Sequence, residues 1–117
     1  MAKALKFDEG KLEYSLLIDE FIDEMARVRM FGSKKYEPWD WMHGLEYSRY
    51  HDAIKRHLKA FNAGEDLDPE SGLHHLAHLA ISAMFLYSFQ MTDIGIDDRH
   101  GTKAKELLAR LAAKEIK

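Results

Sequence analysis

The sequence predicts an all-α protein with a four-helix, bundle-like fold, and three observations lead to this prediction. Apolar residues recur at three- and four-residue spacing in four segments, and no segment shows the two-residue alternation of a half-buried strand. Of the 117 residues, two are prolines and seven are glycines, while 46% are hydrophobic. We therefore expect a single domain over 1–117, with a core over 6–91 and an amphipathic C-terminal helix over about 102–117.

The first two predicted helices each have one apolar face. The first extends over about 15–31 and ends at Gly32, and the second extends over about 48–62. Pro38 marks the segment 33–44 between them as a loop, which also contains both tryptophans.

The third predicted helix is apolar on nearly all sides, which is typical of a central, buried helix. We place it over about 69–91, with Pro69 in its first turn after the acidic connector 63–68. A second acidic loop over 92–101 separates it from the fourth predicted helix.

Composition and charge exclude several classes of protein. The net charge of −3, from 17 Lys and Arg against 20 Asp and Glu, argues against a nucleic-acid partner bound through its phosphates. The absence of cysteine excludes disulfides, thiolate catalysis and cysteine zinc sites, and it is compatible with a reducing cytoplasm. The N-terminal stretch has only short apolar runs, so we expect neither a signal peptide nor a membrane anchor.

A stripe of polar side chains on the third helix gives the sharpest indication of a functional site. At about 100° of rotation per residue, one narrow face carries Ser71, His75, His78 and Ser82. Imidazoles and hydroxyls on a buried helix need hydrogen-bond partners or another ligand. The stripe therefore indicates either a polar network inside the core or a ligand face for a divalent metal, and we favour the metal.

The second helix offers a partner for this face. His57 lies in the middle of its apolar side, as a core histidine or as a third metal ligand. Asp52 and Arg56 lie four residues apart on its flank, where they form either a surface ion pair or, for Arg56, a phosphate contact.

Carboxylates near the predicted site come from two segments. Acidic residues favour helix N-termini, but the turn into the third helix has more of them than capping needs, so we expect one or two to reach a metal. Glu24, at the edge of the first helix's apolar stripe, is a further candidate. The acidic residues at the turn are Glu65, Asp66, Asp68 and Glu70.

The loop between the first two helices can serve a nucleotide or simply close the end of the bundle. Lys34 and Lys35 can neutralise phosphates, and the aromatic residues of the loop can stack on a flat ring. Alternatively, the tryptophans only fill the bundle end. No P-loop, dinucleotide-binding glycine motif or serine triad is present in the sequence. The aromatic residues are Tyr36, Trp39 and Trp41.

Three stretches of the chain resemble the small phage and prophage dATP/dGTP diphosphohydrolase family, which is related to the MazG-like all-α nucleoside triphosphate pyrophosphohydrolases. They are KFDEGKLEYSLL, FGSKKYEPWDW and HDAIKRHLKAFNAGEDLDPESGLHHLAHLA, and the resemblance covers about residues 6–90. It implies a helical bundle, often a homo-oligomer, that binds Mg²⁺ or Mn²⁺. Its implied reaction cleaves a nucleoside triphosphate, here a purine dNTP (dATP or dGTP), to the monophosphate and pyrophosphate. It also implies a cytoplasmic enzyme, in the host cytoplasm for a phage-encoded chain.

The chain departs from the acidic metal motifs of that superfamily. Where the superfamily has E-x-x-D on one helix, this chain has His75 and His78, and near the E-x-x-E motif it has His57. Imidazole ligands lower the negative charge of a site and favour softer metals over Mg²⁺, so another transition metal is a further option.

Residue roles follow from the resemblance and from phosphate chemistry as hypotheses. The metal would neutralise triphosphate oxygens, a carboxylate would orient the attacking water, and cations would hold the phosphate chain. The predicted metal ligands are His57, Glu70, His75 and His78. The predicted catalytic carboxylates are Glu24, Asp52 and Glu65. The predicted substrate-binding residues are Lys35, Tyr36, Trp41 and Arg56.

Two alternatives stay open. The adjacent pair His51 and Asp52 suggests an HD-type nucleotide phosphohydrolase. The second alternative is a non-catalytic helical interaction protein that keeps the fold. This alternative predicts that no divalent ion binds specifically.

Overall fold

The computed structural model describes residues 9–115, and within this range the chain forms four α-helices. The predictions for residues 6–8 and for the last two residues of the C-terminal helix lie outside the described range. Short 3-10 helices occupy Tyr14–Leu16 and Asp40–His43, and no strand forms among the described residues. The all-α prediction is therefore confirmed. The helices are α1 (Asp19–Lys35), α2 (Tyr47–Asn62), α3 (His75–Thr92) and α4 (His100–Glu115).

Helix α3 lies at the centre of the packing and contacts both α1 and α2. Its mostly apolar composition predicts this position, since each side of the helix must meet another apolar surface. The core joins Val28 of α1 to Ala77 and Ile81 of α3, and Phe89 is fully buried near the C-terminal end of α3. No described helix is long and apolar enough to cross a membrane.

The predicted end of α1 at Gly32 is wrong, because the helix continues to Lys35. A single glycine costs a helix only about 1 kcal/mol, and lysines in the last turn interact favourably with the helix dipole. The chain leaves the helix at Tyr36, whose extended backbone (φ −133°, ψ 161°) starts the loop.

The predicted start of α3 at Pro69 is also wrong, because the helix begins at His75. The segment 66–74 forms a closed loop, in which Asp68 N donates to Leu73 O over 2.8 Å and Gly72 N donates to Asp68 O over 2.7 Å. Gly72 has φ +71°, which is left-handed backbone that glycine adopts at little cost. His74 then caps α3, since its Nδ1 accepts from Leu76 N over 3.0 Å.

The segments before α2 and after α3 lie side by side. Tyr47 N donates to Ile96 O over 2.9 Å, and the Ser48 hydroxyl donates to Asp98 over 2.6 Å. Gly95 is required here, because a Cβ on it would lie 2.7 Å from Leu45 O. This pairing fixes the N-terminal end of α2, and α2 carries His57 towards α3.

Candidate metal and nucleotide site

Three histidines from α2 and α3 lie together at the N-terminal end of α3. The Nδ1 atoms of His57 and His75 are 2.8 Å apart. The rings of His57 and His78 stack, with centroids 4.7 Å apart and planes 6° from parallel. His75 is buried, at 3% exposure, and the other two are half-buried. The packing of α2 on α3 therefore places three imidazoles in one partly enclosed cluster, which we call the histidine cluster.

The loop between α2 and α3 adds two carboxylates to the histidine cluster. Glu65 Oε1 lies 2.7 Å from His75 Nε2, and Asp68 Oδ2 lies 3.9 Å from His78 Nε2. Ser71 connects Asp68 to His78, since its Oγ lies 2.7 Å from His78 Nε2 and 3.0 Å from Asp68 Oδ2. Loop side chains thus fix the orientations of the His75 and His78 rings.

The hydrogen bonds determine which ring nitrogens carry protons. The Glu65 carboxylate can only accept, so His75 Nε2 donates to it. The Ser71 hydroxyl donates to Asp68, and His78 Nε2 therefore donates to the Ser71 oxygen. A neutral His78 then presents its Nδ1 lone pair. The His57 and His75 Nδ1 atoms need one proton or one cation between them, because two bare lone pairs at 2.8 Å would repel.

Burial keeps two of the imidazoles in the neutral form that a metal requires. Burial lowers the pKa of His57, and the neighbouring His78 and His75 lower it further. Burial also lowers the pKa of His78, against the opposing charge of Asp68. For Asp68, burial raises the pKa, but hydrogen bonds from the Ser71 N–H and hydroxyl outweigh it, and the net pKa is lowered. The cluster therefore combines neutral imidazoles with an ionised carboxylate near pH 7.

These residues fit a divalent transition metal. His57 and His75 nitrogens and an Asp68 oxygen lie within 4.8 Å of one another. Two nitrogens bound at about 2.1 Å and at right angles would be about 3 Å apart, close to the 2.8 Å separation of the two Nδ1 atoms. Glu65 on the far nitrogen of His75 matches the carboxylate that commonly orients a metal-bound histidine.

The structure brings together some of the predicted metal ligands and not others. His57, His75 and His78 lie in the cluster, whereas the exposed Glu70 forms an ion pair with Lys35. Asp68 stands in the position expected of Glu70. Helical spacing could not rank the acids of this segment, because it is a loop whose path depends on its own hydrogen bonds. Whether any of these residues binds a metal stays a prediction.

The three predicted catalytic carboxylates lie in different surroundings. Glu65 contacts His75 directly, and Glu24 anchors the loop, since its Oε2 accepts from His74 N over 2.9 Å. Asp52 lies on the exposed side of α2 beside His51, with 3.5 Å between Nδ1 and Oδ1. Arg56, on the same helix, is exposed as well. Within the described residues, no hydrogen bond or ion pair joins Asp52 or Arg56 to the histidine cluster.

A cavity of about 520 Å³ opens beside the cluster, between α1, α3 and the loop that precedes α2. This volume is within the range of small-molecule sites. His78 lines it together with three predicted substrate-binding residues, and Trp41 stacks on Phe85 with centroids 5.0 Å apart. The three predicted residues are Lys35, Tyr36 and Trp41. A ligand in the cavity would therefore touch both an aromatic wall and the histidine cluster.

Comparison with known proteins places this all-α chain in a family of nucleotide hydrolases. The model of the family described as "dATP/dGTP diphosphohydrolase, N-terminal" matches residues 1–99, and the chain belongs to that family. The resemblance carried by its three sequence stretches is thereby confirmed.

A relative from Salmonella phage PMBT28, named dATP/dGTP diphosphohydrolase, is 40% identical over 100 residues. The match covers 86% of this chain and 34% of the phage protein, so the chain spans about a third of the length of that relative. No solved structure matches the chain.

Glu24 gives a prediction for acid stability. Its pKa is lowered from the ordinary 4.5 by the His74 N–H and then by Arg27. A lowered folded pKa means that its contribution is present above about pH 4.5 and is lost as the pH falls through the folded value. We expect Glu24→Gln to reduce the free energy of unfolding by about 1–2 kcal/mol at pH 7 and by less in acid. Urea unfolding at several pH values measures this.

The matched control is Asp23→Asn, an exposed carboxylate on α1 beside Glu24 and outside the first turn of the helix. It should change the free energy of unfolding little at any pH. A deficit for Glu24→Gln that is equal at pH 7 and in acid would contradict the account of the Glu24 carboxylate.

Proposed function

We propose that the chain hydrolyses nucleoside triphosphates, specifically purine deoxynucleotides (dATP or dGTP), to the monophosphate and pyrophosphate, with a divalent metal. The observation that carries this proposal is the shared position of His78, which belongs to the histidine cluster and also lines the cavity. Family membership supports the nucleotide as substrate. The family resemblance implies Mg²⁺ or Mn²⁺, and the imidazoles favour Mn²⁺ or another transition metal.

The proposed metal ligands are His57, His75 and Asp68, with His78 beside them. A bound metal would neutralise charge on the phosphate oxygens and polarise the anhydride. The protein's own contribution is orientation, because Glu65 holds His75 and Ser71 holds both Asp68 and His78.

The remaining roles are proposed for Lys35, which would bind phosphate, and Glu65, which would act as the base. Lys35 lines the cavity, and among the described residues its ion-pair partner is the exposed Glu70, so a triphosphate can replace that carboxylate. Glu65 uses one oxygen on His75 and is about half exposed, which leaves the other oxygen to orient a water. In the proposed step water forms a new P–O bond, the α–β anhydride P–O bond breaks, and Glu65 accepts the proton.

The aromatic wall would receive the base. Trp41 and Tyr36 line the cavity, and stacking on such rings accepts any base. The HD-type alternative has less support, because the His51 and Asp52 side chains are 59% and 63% exposed and lie outside the cluster.

We also propose that the chain acts as a homo-oligomer, in the cytoplasm. Its Cα radius of gyration is 19.9 Å, against about 13 Å for a compact chain of this length. Large apolar side chains just before α1 and near the end of α3 are exposed, including Leu17, Ile18, Tyr87 and Met91. Apolar surface of this extent is typical of protein interfaces, and a second copy would cover it. Light scattering should give a multiple of the 13.6 kDa chain mass, and a monomer would contradict the proposal.

Metal binding is testable without turnover. Mn²⁺ at a hundred times its Kd should stabilise the wild type by about 2.7 kcal/mol, raising the Tm by several degrees. We expect His75→Ala and His57→Ala to lose this increase, because each removes one of two adjacent nitrogens. Differential scanning calorimetry with Mn²⁺ and with a chelator measures the increase within each variant, so a lower Tm of the variant itself does not confuse the result.

His51→Ala is the control for this experiment, since His51 is an exposed histidine on the same helix as His57. It should keep the full increase in Tm. An increase of equal size in all four proteins would place any bound metal elsewhere.

Turnover is tested by pyrophosphate release. All canonical dNTPs should be assayed with Mg²⁺, Mn²⁺ and Co²⁺ separately, and we expect purine dNTPs to react. Lys35→Ala should raise KM about tenfold or more, because it removes a charged hydrogen bond to phosphate. The neighbouring Lys34→Ala is the control, since Lys34 does not line the cavity beside the histidine cluster. Absence of pyrophosphate under every combination would refute the proposed function.

A further inference from the structure

Arg29 is a cavity residue that the sequence patterns do not single out. It lies on α1 and is half-buried in the cavity wall. Its Nη2 donates to Pro38 O over 2.6 Å, and its guanidinium carbon lies 5.3 Å from the centroid of the Phe85 ring. Within residues 9–115 no carboxylate forms an ion pair with it, whereas Lys35, the other cation of this wall, is paired with Glu70. The Arg29 guanidinium is therefore oriented by a carbonyl and keeps unused donors on the cavity wall.

The two cations lie at different ends of the cavity. Lys35 and His78 both pack on Phe31, at 5.1 and 6.5 Å from its centroid. Arg29 packs on Phe85. His78 and Phe85 are seven residues apart on α3, which is about 10 Å along the helix. One end therefore adjoins the histidine cluster, and Arg29 lies at the other.

The end that contains Arg29 is aromatic. Trp41 and Tyr50 surround Phe85, with ring centroids 5.0 and 6.0 Å from it. The phosphates of a bound nucleotide belong with the metal and Lys35, so the base would lie at this aromatic end. A guanidinium beside a stacked base meets the edge of that base and not a phosphate.

We infer that Arg29 is a specificity-determining residue that hydrogen-bonds the edge of the purine base and favours guanine over adenine. This inference rests on the proposed function and concerns the same cavity. Guanine presents two acceptors, O6 and N7, to a bidentate arginine. Adenine presents the N7 acceptor beside the N6 amino donor, which would leave a guanidinium N–H facing another donor and unpaired. The Pro38 carbonyl orients the guanidinium before a nucleotide binds, so the Arg29 side chain loses little conformational entropy on binding.

The test compares kcat/KM for four substrates: dGTP, dITP, 7-deaza-dGTP and dATP. We expect the wild type to prefer dGTP over dATP by about 10- to 100-fold. It should accept dITP nearly as well as dGTP, since dITP keeps O6 and N7. The 7-deaza analogue, which lacks N7, should lose most of the preference.

Arg29→Gln and Arg29→Lys should reduce the dGTP to dATP ratio to within about threefold, chiefly by slowing dGTP. The ratio is measured within one preparation, so a loss of folded protein does not change it. Lysine keeps the positive charge but lacks the paired N–H donors of the guanidinium. Arg29→Lys therefore separates an effect of charge from an effect of bidentate hydrogen bonding. Arg49→Gln is the control, because Arg49 is exposed on α2 and paired with Glu46, and its ratio should match the wild type.

Two results would overturn the inference. The first is an unchanged ratio in Arg29→Gln. The second is a wild-type kcat/KM for every substrate in Arg29→Lys, which would indicate that Arg29 contacts a phosphate.

A wild type without turnover refutes the proposed function and still tests Arg29. In that case, tryptophan fluorescence measures the binding of dGMP and dAMP. Tighter binding of dGMP that is lost in Arg29→Gln supports the inference, and equal or absent binding of both nucleotides refutes it.

Discussion

The 2.8 Å contact between the Nδ1 atoms of His57 and His75 is the constraint on which the site depends. Two ring nitrogens this close need a proton or a metal ion between them, because two bare lone pairs at this distance repel. This pair lies at the contact between α2 and α3. Glu65 supplies charge on the far side of His75, and the stacked ring of His78 closes the cluster. The packing of the two helices and the chemistry of the site are therefore one feature.

The loop of residues 64–74 joins that feature to the rest of the molecule. Ser71 binds Asp68 and His78 together, and Glu24 of α1 holds the loop by the His74 N–H. Helices α1, α2 and α3 thus all fix the positions of the side chains in the histidine cluster. This support suits a site whose ligands must stay within a fraction of an ångström of their working positions. The aromatic end of the cavity is built separately, from the packing of Trp41 on Phe85.

The sequence predicts the parts of this structure that follow helical periodicity. Spacing along two helices directs His57, His75 and His78 to one place, and in the structure they lie together. The start of α3 and the position of Asp68 could not be predicted, because the loop follows hydrogen bonds and the positive φ of Gly72, which leave no periodic pattern. Arg29 was missed because a charged residue at the edge of an apolar stripe looks solvated. Its long side chain reaches the cavity only because the loop brings the Pro38 carbonyl beside it.

Anomalous X-ray scattering from crystals grown with Mn²⁺ would locate an ion in the histidine cluster without requiring turnover. We expect a manganese peak within about 2.3 Å of the His57 and His75 Nδ1 atoms, with an Asp68 oxygen as a further ligand. A peak coordinated by other residues, or no peak at saturating Mn²⁺ with the two nitrogens still 2.8 Å apart, would contradict this expectation.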